Sequence, residues 1–210
     1  MEEKLIITWH GHSCFSVTYD QFTLVIDPYR DDSVPGLTPL HLYADEVHIT
    51  HRHGDHSYVE AVKVRENTRI SPFTLTKIPC AHDDVGGKKR GMSDILLFEK
   101  EGLRFAHLGD LGEMLSEEKV GPLMNLDAVM IPVGGFYTIG PAEARALLDR
   151  IKPRVVIPMH YRTDAFGYDE LHHLDDFLRL CRDVKVYEDS SMVIEKDTPS
   201  QTAVLTYKDL

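Results

Sequence analysis

The chain has 210 residues, 34 acidic against 23 basic, and a formal net charge of -11. That balance excludes a general nucleic-acid binder, which needs a basic surface, and no apolar run approaches the roughly 20 residues that span a bilayer. Cys14, Cys80 and Cys181 are widely spaced and odd in number, which excludes a closed disulfide framework.

The length predicts one domain over residues 1–210. Met1–Lys4 runs straight into a strand with no signal-peptide pattern, so a cytoplasmic protein with reduced thiols is expected. Lys4–Trp9, Cys14–Tyr19 and Phe22–Ile26 read as three strands joined by tight turns, an antiparallel meander. Arg30–Leu40, with Pro35, Gly36 and Pro39, predicts a mobile surface loop. Glu46–Thr50 predicts a short strand, and the spacing of Val59, Val62 and Val64 predicts a helix over Ser57–Val64.

Between these two elements lies Thr50-His51-Arg52-His53-Gly54-Asp55-His56. Four metal-ligating side chains within six residues, on a loop between regular elements, point to a metal site rather than a solvated His-rich loop. Imidazoles with a carboxylate suit zinc, and iron or manganese remain compatible.

Downstream, Arg69–Ser71 and Leu75–Pro79 read as short strands, and His82 follows the second of them before a Gly-rich loop. Asp83 suits orientation of a ligand, and Asp84 remains open. Lys88-Lys89-Arg90 is the one basic cluster near these residues and suits a phosphate or carboxylate of a substrate. Asp94–Glu99 and Leu103–His107 predict a hairpin turning at Glu101-Gly102, after which Asp110 stands between Gly109 and Gly112. Such glycines let a backbone approach an ion closely. His107 is expected in the core or behind the site.

Met114–Asn125 predicts a helical segment capped at Ser116. Asp127–Val133 and Arg154–Pro158 are strands flanking a helix over Pro141–Ile151, and His160 follows the second strand at the position where open α/β sheets place their sites. Leu171, Leu174, Leu178 and Cys181 predict an amphipathic helix over Tyr168–Arg182, with His172 and His173 on its exposed faces. Val184–Tyr187, Ser191–Ile194 and Ala203–Tyr207 are closing strands. Phe136, Tyr137 and Phe166 line either a pocket or a subunit interface, which leaves a homo-oligomer open.

The pattern His51-x-His53-x-Asp55-His56, followed by His82, Asp110 and His160 in that order, resembles the signature of the metallo-β-lactamase-fold hydrolases. Trp9-His10-Gly11-His12-Ser13 and Ile26-Asp27-Pro28 resemble the branch that contains ascorbate-6-phosphate lactonase-like proteins and the phosphodiesterases that cleave N-acyl phosphatidylethanolamine. The chain departs from that branch at Gly91–Ser93 and at Glu113, where an Asn and a His are expected, and both departures bear on the substrate.

The resemblance implies an α/β fold, a four-layer αββα sandwich of two mixed sheets. It implies two divalent ions, zinc foremost and manganese or iron next. His51, His53 and His82 hold one ion; Asp55, His56 and His160 hold the other; Asp110 lies between them. Asp27 and His12 stand behind or beside the ligands. A hydroxide shared by the ions, oriented by Asp55, then cleaves an ester, lactone, amide or phosphodiester of a small, anionic or neutral substrate. The alternatives are a non-catalytic metal-binding sensor and a di-iron redox protein of the same fold. Redox members of the fold usually carry appended domains for which 210 residues leave no room.

Overall fold

The computed structural model describes residues 4–66, 69–100 and 102–208. Strand β1 (Leu5–Gly11) turns Leu5, Ile7 and Trp9 inward and leaves Ile6 exposed, the period-2 pattern of a half-buried strand. It pairs antiparallel with β2 (Cys14–Tyr19), and β2 pairs antiparallel with β3 (Phe22–Ile26). Two three-residue strands follow, β4 (Leu42–Ala44) and β5 (Glu46–His48); β5 lies parallel to β3.

No helix forms after the histidine loop. Val59–Ala61 makes one 3-10 turn and Val62–Val64 makes strand β6, parallel to β4. Val62 and Val64 are two residues apart and β-branched, a strand spacing that overrides the helical one.

Strand β7 (Thr74–Ala81) is one element running through Pro79, and Arg69–Ser71 forms no strand. It pairs with β8 (Met92–Lys100), and β8 with β9 (Leu103–His107), both antiparallel. Of the turn between β8 and β9, Glu101 lies outside the described residues. The predicted helix over Met114–Asn125 is reduced to α1 (Glu117–Val120) and a 3-10 turn at Gly121–Leu123, and the Ser116 side chain makes no capping bond. Strand β10 (Ala128–Pro132), helix α2 (Pro141–Ile151) and β11 (Val155–Met159) form a parallel crossover unit, with Pro141 at the first helical turn.

The helix predicted over Tyr168–Arg182 shrinks to α3 (Leu174–Leu178). Residues ahead of it spend their backbone groups elsewhere. His172 N–H donates to Gly134 O at 2.7 Å, Arg162 N–H to His172 O at 3.1 Å, and Leu174 N–H to Arg162 O at 3.3 Å. Strands β12 (Val184–Val186), β13 (Ser191–Ile194) and β14 (Gln201–Val204) complete the sheets.

One sheet has the order β13-β1-β2-β3-β5, the other β12-β14-β11-β10-β9-β8-β7. A single hydrophobic cluster joins Ile7 and Phe15 of the first to Leu96, Phe105 and Val129 of the second, so the sheets pack face to face. Helix α2 buries Ala144, Leu147, Leu148 and Ile151 on this core. On its outer face the first sheet is covered by a second cluster, in which Cys14 and Val25 meet Tyr29, Val34, Leu40, Ala44 and Val62. The segment Arg30–Leu40 is irregular, but Val34 and Leu40 are buried, so it is a packed layer rather than a free surface loop.

Candidate metal centre

Each candidate donor follows the end of a strand. His12 occupies the β1–β2 turn, the 51–56 loop follows β5, His82 follows β7, Asp110 follows β9 and His160 follows β11. Asp27 terminates β3. His12, Asp27 and His160 hold φ of 48°, 49° and 54°, the left-handed region that turns the chain sharply at the sheet edge. Trp9 Nε1–H donates to His12 O at 3.0 Å and so braces that turn.

The loops converge. His12, Asp55, His56 and His160 bring donor atoms within 4.8 Å of one another, and so do His51, His53 and His82. Asp110 stands between the groups: its Oδ2 is 3.2 Å from His56 Nε2 and from His82 Nε2, 3.4 Å from His160 Nε2 and 3.8 Å from His51 Nε2. His51 Nε2 lies 3.0 Å from His53 Nδ1, and Asp55 Oδ2 lies 3.3 Å from His12 Nε2. Donors bound about 2.0–2.1 Å from a tetrahedral ion sit roughly 3.3 Å apart.

The hydrogen bonds behind the donors fix where their lone pairs face. Asp27 is fully buried and accepts the Thr50 N–H and hydroxyl, each at 2.7 Å, and His56 Nδ1–H at 2.9 Å. The Thr50 hydroxyl, its proton committed to Asp27, accepts from His51 Nδ1–H at 3.0 Å. His51 and His56 therefore turn Nε2 lone pairs toward Asp110. His56 Nε2 is buried and makes no hydrogen bond, as does Asp110 Oδ1. A lone pair held against a carboxylate is repulsive unless a cation lies between them.

The charge balance asks for the same cation. Asp27, Asp55 and Asp110 are partnered by histidines alone, with no Lys or Arg in an ion pair to any of them among the described residues. Burial opposes the charge of Asp110, but His160 and His56 outweigh it and hold its carboxyl well below the usual range. Burial likewise opposes a charge on His56, while Asp110 and Asp55 raise it well above the ordinary imidazole value. His51 and His12 are pushed down, to about 3 and about 4, mainly by burial and by neighbouring imidazoles. The donor set and its orphaned atoms fit divalent metal ions.

The glycines flanking Asp110 meet neighbouring chain. A Cβ on Gly109 would lie 2.6 Å from Ser93 Oγ, and one on Gly112 would lie 2.4 Å from the Asp83 nitrogen. Ser93 Oγ also accepts the Asp110 N–H at 3.2 Å. His107 is buried behind Asp110; its Nε2–H donates to Ser13 O at 2.9 Å and its Nδ1 accepts the Gly109 N–H at 3.1 Å, which fixes the neutral tautomer. Glu113 accepts the Ala81 N–H and Lys119 Nζ.

Asp83 is turned away from the donors. It accepts four backbone N–H groups, from Val85, Gly87, Lys89 and Arg90, at 2.7–2.9 Å, and so clamps the 83–90 loop. Lys89 Nζ pairs with Asp84 at 2.9 Å and Lys88 is exposed. Arg90 reaches inward. A cavity of about 320 Å³ opens over the centre, lined by His53, Asp55, His82, Asp110 and His160 together with Arg90, Tyr137 and Tyr168. Tyr168 donates its hydroxyl to Ser33 O at 2.6 Å, with Asp55 Oδ2 at 3.3 Å. Sequence periodicity misses Tyr168 by assigning it to a helix. Phe166 packs instead against Trp9 and Tyr161.

A sheet sandwich with histidines and carboxylates gathered at its strand ends defines a class, and the known proteins similar to this chain fall within it. Residues 6–160 match the model of the beta-lactamase superfamily domain. A UPF0173 metal-dependent hydrolase of Thermoplasma acidophilum is 30% identical over 195 residues, covering 77% of this chain and 85% of that protein. Another from Archaeoglobus fulgidus is 29% identical, covering 75% and 83%. A Thermotoga maritima protein assigned as a Zn-dependent hydrolase of the metallo-beta-lactamase superfamily superposes with a TM-score of 0.75 at 30% identity, over 97% of this chain and 100% of that one. The chain belongs to the beta-lactamase superfamily, as a metal-dependent hydrolase of its UPF0173 group.

Proposed function

We propose that the chain is a dinuclear hydrolase of small esters, lactones, amides or phosphodiesters. His51, His53 and His82 hold one divalent ion, Asp55, His56 and His160 hold the second, and Asp110 lies between the two. The supporting observation is the pair of imidazole lone pairs, on His51 and His56, locked from behind and aimed at a buried carboxylate. Zinc is the foremost ion, in keeping with the donor set and with the assignment of the Thermotoga protein.

Two ions so bound supply Lewis acidity and make water acidic enough to attack near neutral pH. The chain's own residues do the rest. Asp27 fixes the tautomer of His56 directly and that of His51 through Thr50, which keeps both Nε2 atoms available as donors. His12, 3.3 Å from Asp55, orients the Asp55 carboxylate, the most exposed acid of the set with a side chain 18% exposed against 3% for Asp110. Asp55 in turn would accept a hydrogen bond from the attacking water and orient it. Tyr168 closes the cavity beside it.

The test is metal content per chain by elemental analysis of untagged protein, beside Asp110→Ala, with hydrolysis of 4-nitrophenyl acetate, a γ-lactone and bis(4-nitrophenyl) phosphate. Two equivalents, falling in the variant together with hydrolysis, are expected. No metal after dialysis against zinc, manganese or iron would overturn the reading.

A further inference from the structure

We infer that Arg90 binds a carboxylate or phosphate group of the substrate, so that the bond cleaved at the metal centre belongs to an anionic molecule. The inference deepens the hydrolase reading and rests on it for the position of the reacting bond.

Three observations carry it. Among the described residues Arg90 is the only Lys or Arg lining the cavity over the donors, and it also lines the adjoining groove of about 910 Å³. Tyr137 is shared in the same way, so the two residues form the wall where cavity and groove meet. Second, the guanidinium lies 5.6 Å from the centroid of the Phe136 ring and 5.3 Å from that of Tyr137. Such contacts hold a guanidinium by its charge and leave its N–H donors free. Among the described residues none of those donors meets a carboxylate or carbonyl, although Asp84, Glu113 and Glu143 line the same groove. Glu113 is engaged by Lys119, and Asp84 by Lys89.

Third, Arg90 is not on a loose loop. Its own N–H is fixed by Asp83 at 2.8 Å, and the same carboxylate ties Lys89, Gly87 and Val85. The three consecutive basic residues thus divide by role: Lys89 neutralises Asp84, Lys88 faces solvent, and Arg90 presents a preorganised fork. A planar carboxylate or a phosphate matches that fork bidentately. In a chain of net charge -11 the fork is a local attraction set against general repulsion.

The test measures binding of inorganic phosphate and of succinate by calorimetry, in metal-loaded and in metal-free protein, for wild type, Arg90→Gln, Arg90→Lys and Lys88→Gln. Loss of one charged hydrogen-bonding partner predicts about tenfold weaker binding of at least one anion in Arg90→Gln. Arg90→Lys retains part of the affinity, and Lys88→Gln stays within about twofold of wild type because the general field falls off in salt. The anion with the larger loss names the group. Equal losses in Arg90→Gln and Lys88→Gln, or none, with unfolding temperatures unchanged, would overturn the inference. Because the comparison is also made without metal, that outcome is independent of metal uptake, which alone decides the hydrolase reading.

Discussion

The two halves of the candidate metal centre are built differently. The half formed by Asp55, His56, His160 and His12 is deep: the three histidines are no more than 1% exposed, and His56 is tied to the fully buried Asp27. The half formed by His51, His53 and His82 is shallow. His53 is exposed; its ring meets His51 and His82, and among the described residues it makes no side-chain hydrogen bond to a carboxylate or carbonyl. Asp27 and Thr50 hold His56 and His51 from behind, whereas among the described residues His53 has no such support. If two ions bind as proposed, the expected outcome is tighter retention in the deep half and readier exchange at His53.

Asp110→Ala erases the distinction, since Asp110 touches both halves; hydrolysis is expected to fall by more than about 10²-fold and metal affinity to fall at both positions, read by rates and equilibrium dialysis. Asp27→Ala strikes the deep half directly, through His56, and the shallow half at one remove, through Thr50 and His51. It is expected to weaken metal binding by about 10–100-fold, most at the deep position, and to destabilise the metal-free protein by about 1–3 kcal/mol because the buried Thr50 N–H loses its partner. His53→Ala removes the other equivalent with little change in unfolding temperature, as expected for an exposed side chain. Equal losses of stability in these two variants would break the comparison. A chelator titration sharpens it: the ion lost first from wild type is the one already missing from His53→Ala.

The smallest effect lies outside the centre. Asp45 is buried and accepts the Thr23 N–H at 2.9 Å while pairing with Arg65 and Arg69. Burial opposes its charge, but the Thr23 donor and Arg65 outweigh it and lower its carboxyl. A depressed folded-state value means its stabilisation is present above the unfolded value of about 3.9 and fades as pH falls through the lower folded one. Asp45→Asn therefore lowers the unfolding temperature by a few degrees at neutral pH, equally with and without metal, and the difference from wild type disappears in strong acid. A metal-dependent difference would tie this outer contact to the centre.

The alternating strand β2 was legible from sequence, as were the short apolar strand β3 and helix α2, where Pro141 marks the first turn. Helical spacing misled where tertiary partners claimed the backbone. Leu171 is buried by pairing its neighbours with Gly134 and Arg162, not by riding on a helix. The approach of the 51–56 loop, His82, Asp110 and His160 to one another follows from residue types at strand ends together with the family resemblance. The nearness of His12 to Asp55 does not, because it depends on a left-handed turn 43 positions away. Nor does sequence separate Arg90 from Lys88 and Lys89, since only the Asp83 clamp decides which of the three turns inward.

Strand β13 pairs with β1, Leu5 opposite Ile194 and Thr8 opposite Ser191. During synthesis, β1 emerges well before β13 and waits for a partner that is distant in sequence. Until then one edge of the first sheet carries unpaired backbone groups and the inward side chains Leu5, Ile7 and Trp9. Chains ending before Ser191 are consequently open at this edge, and the sandwich closes as a late, long-range event.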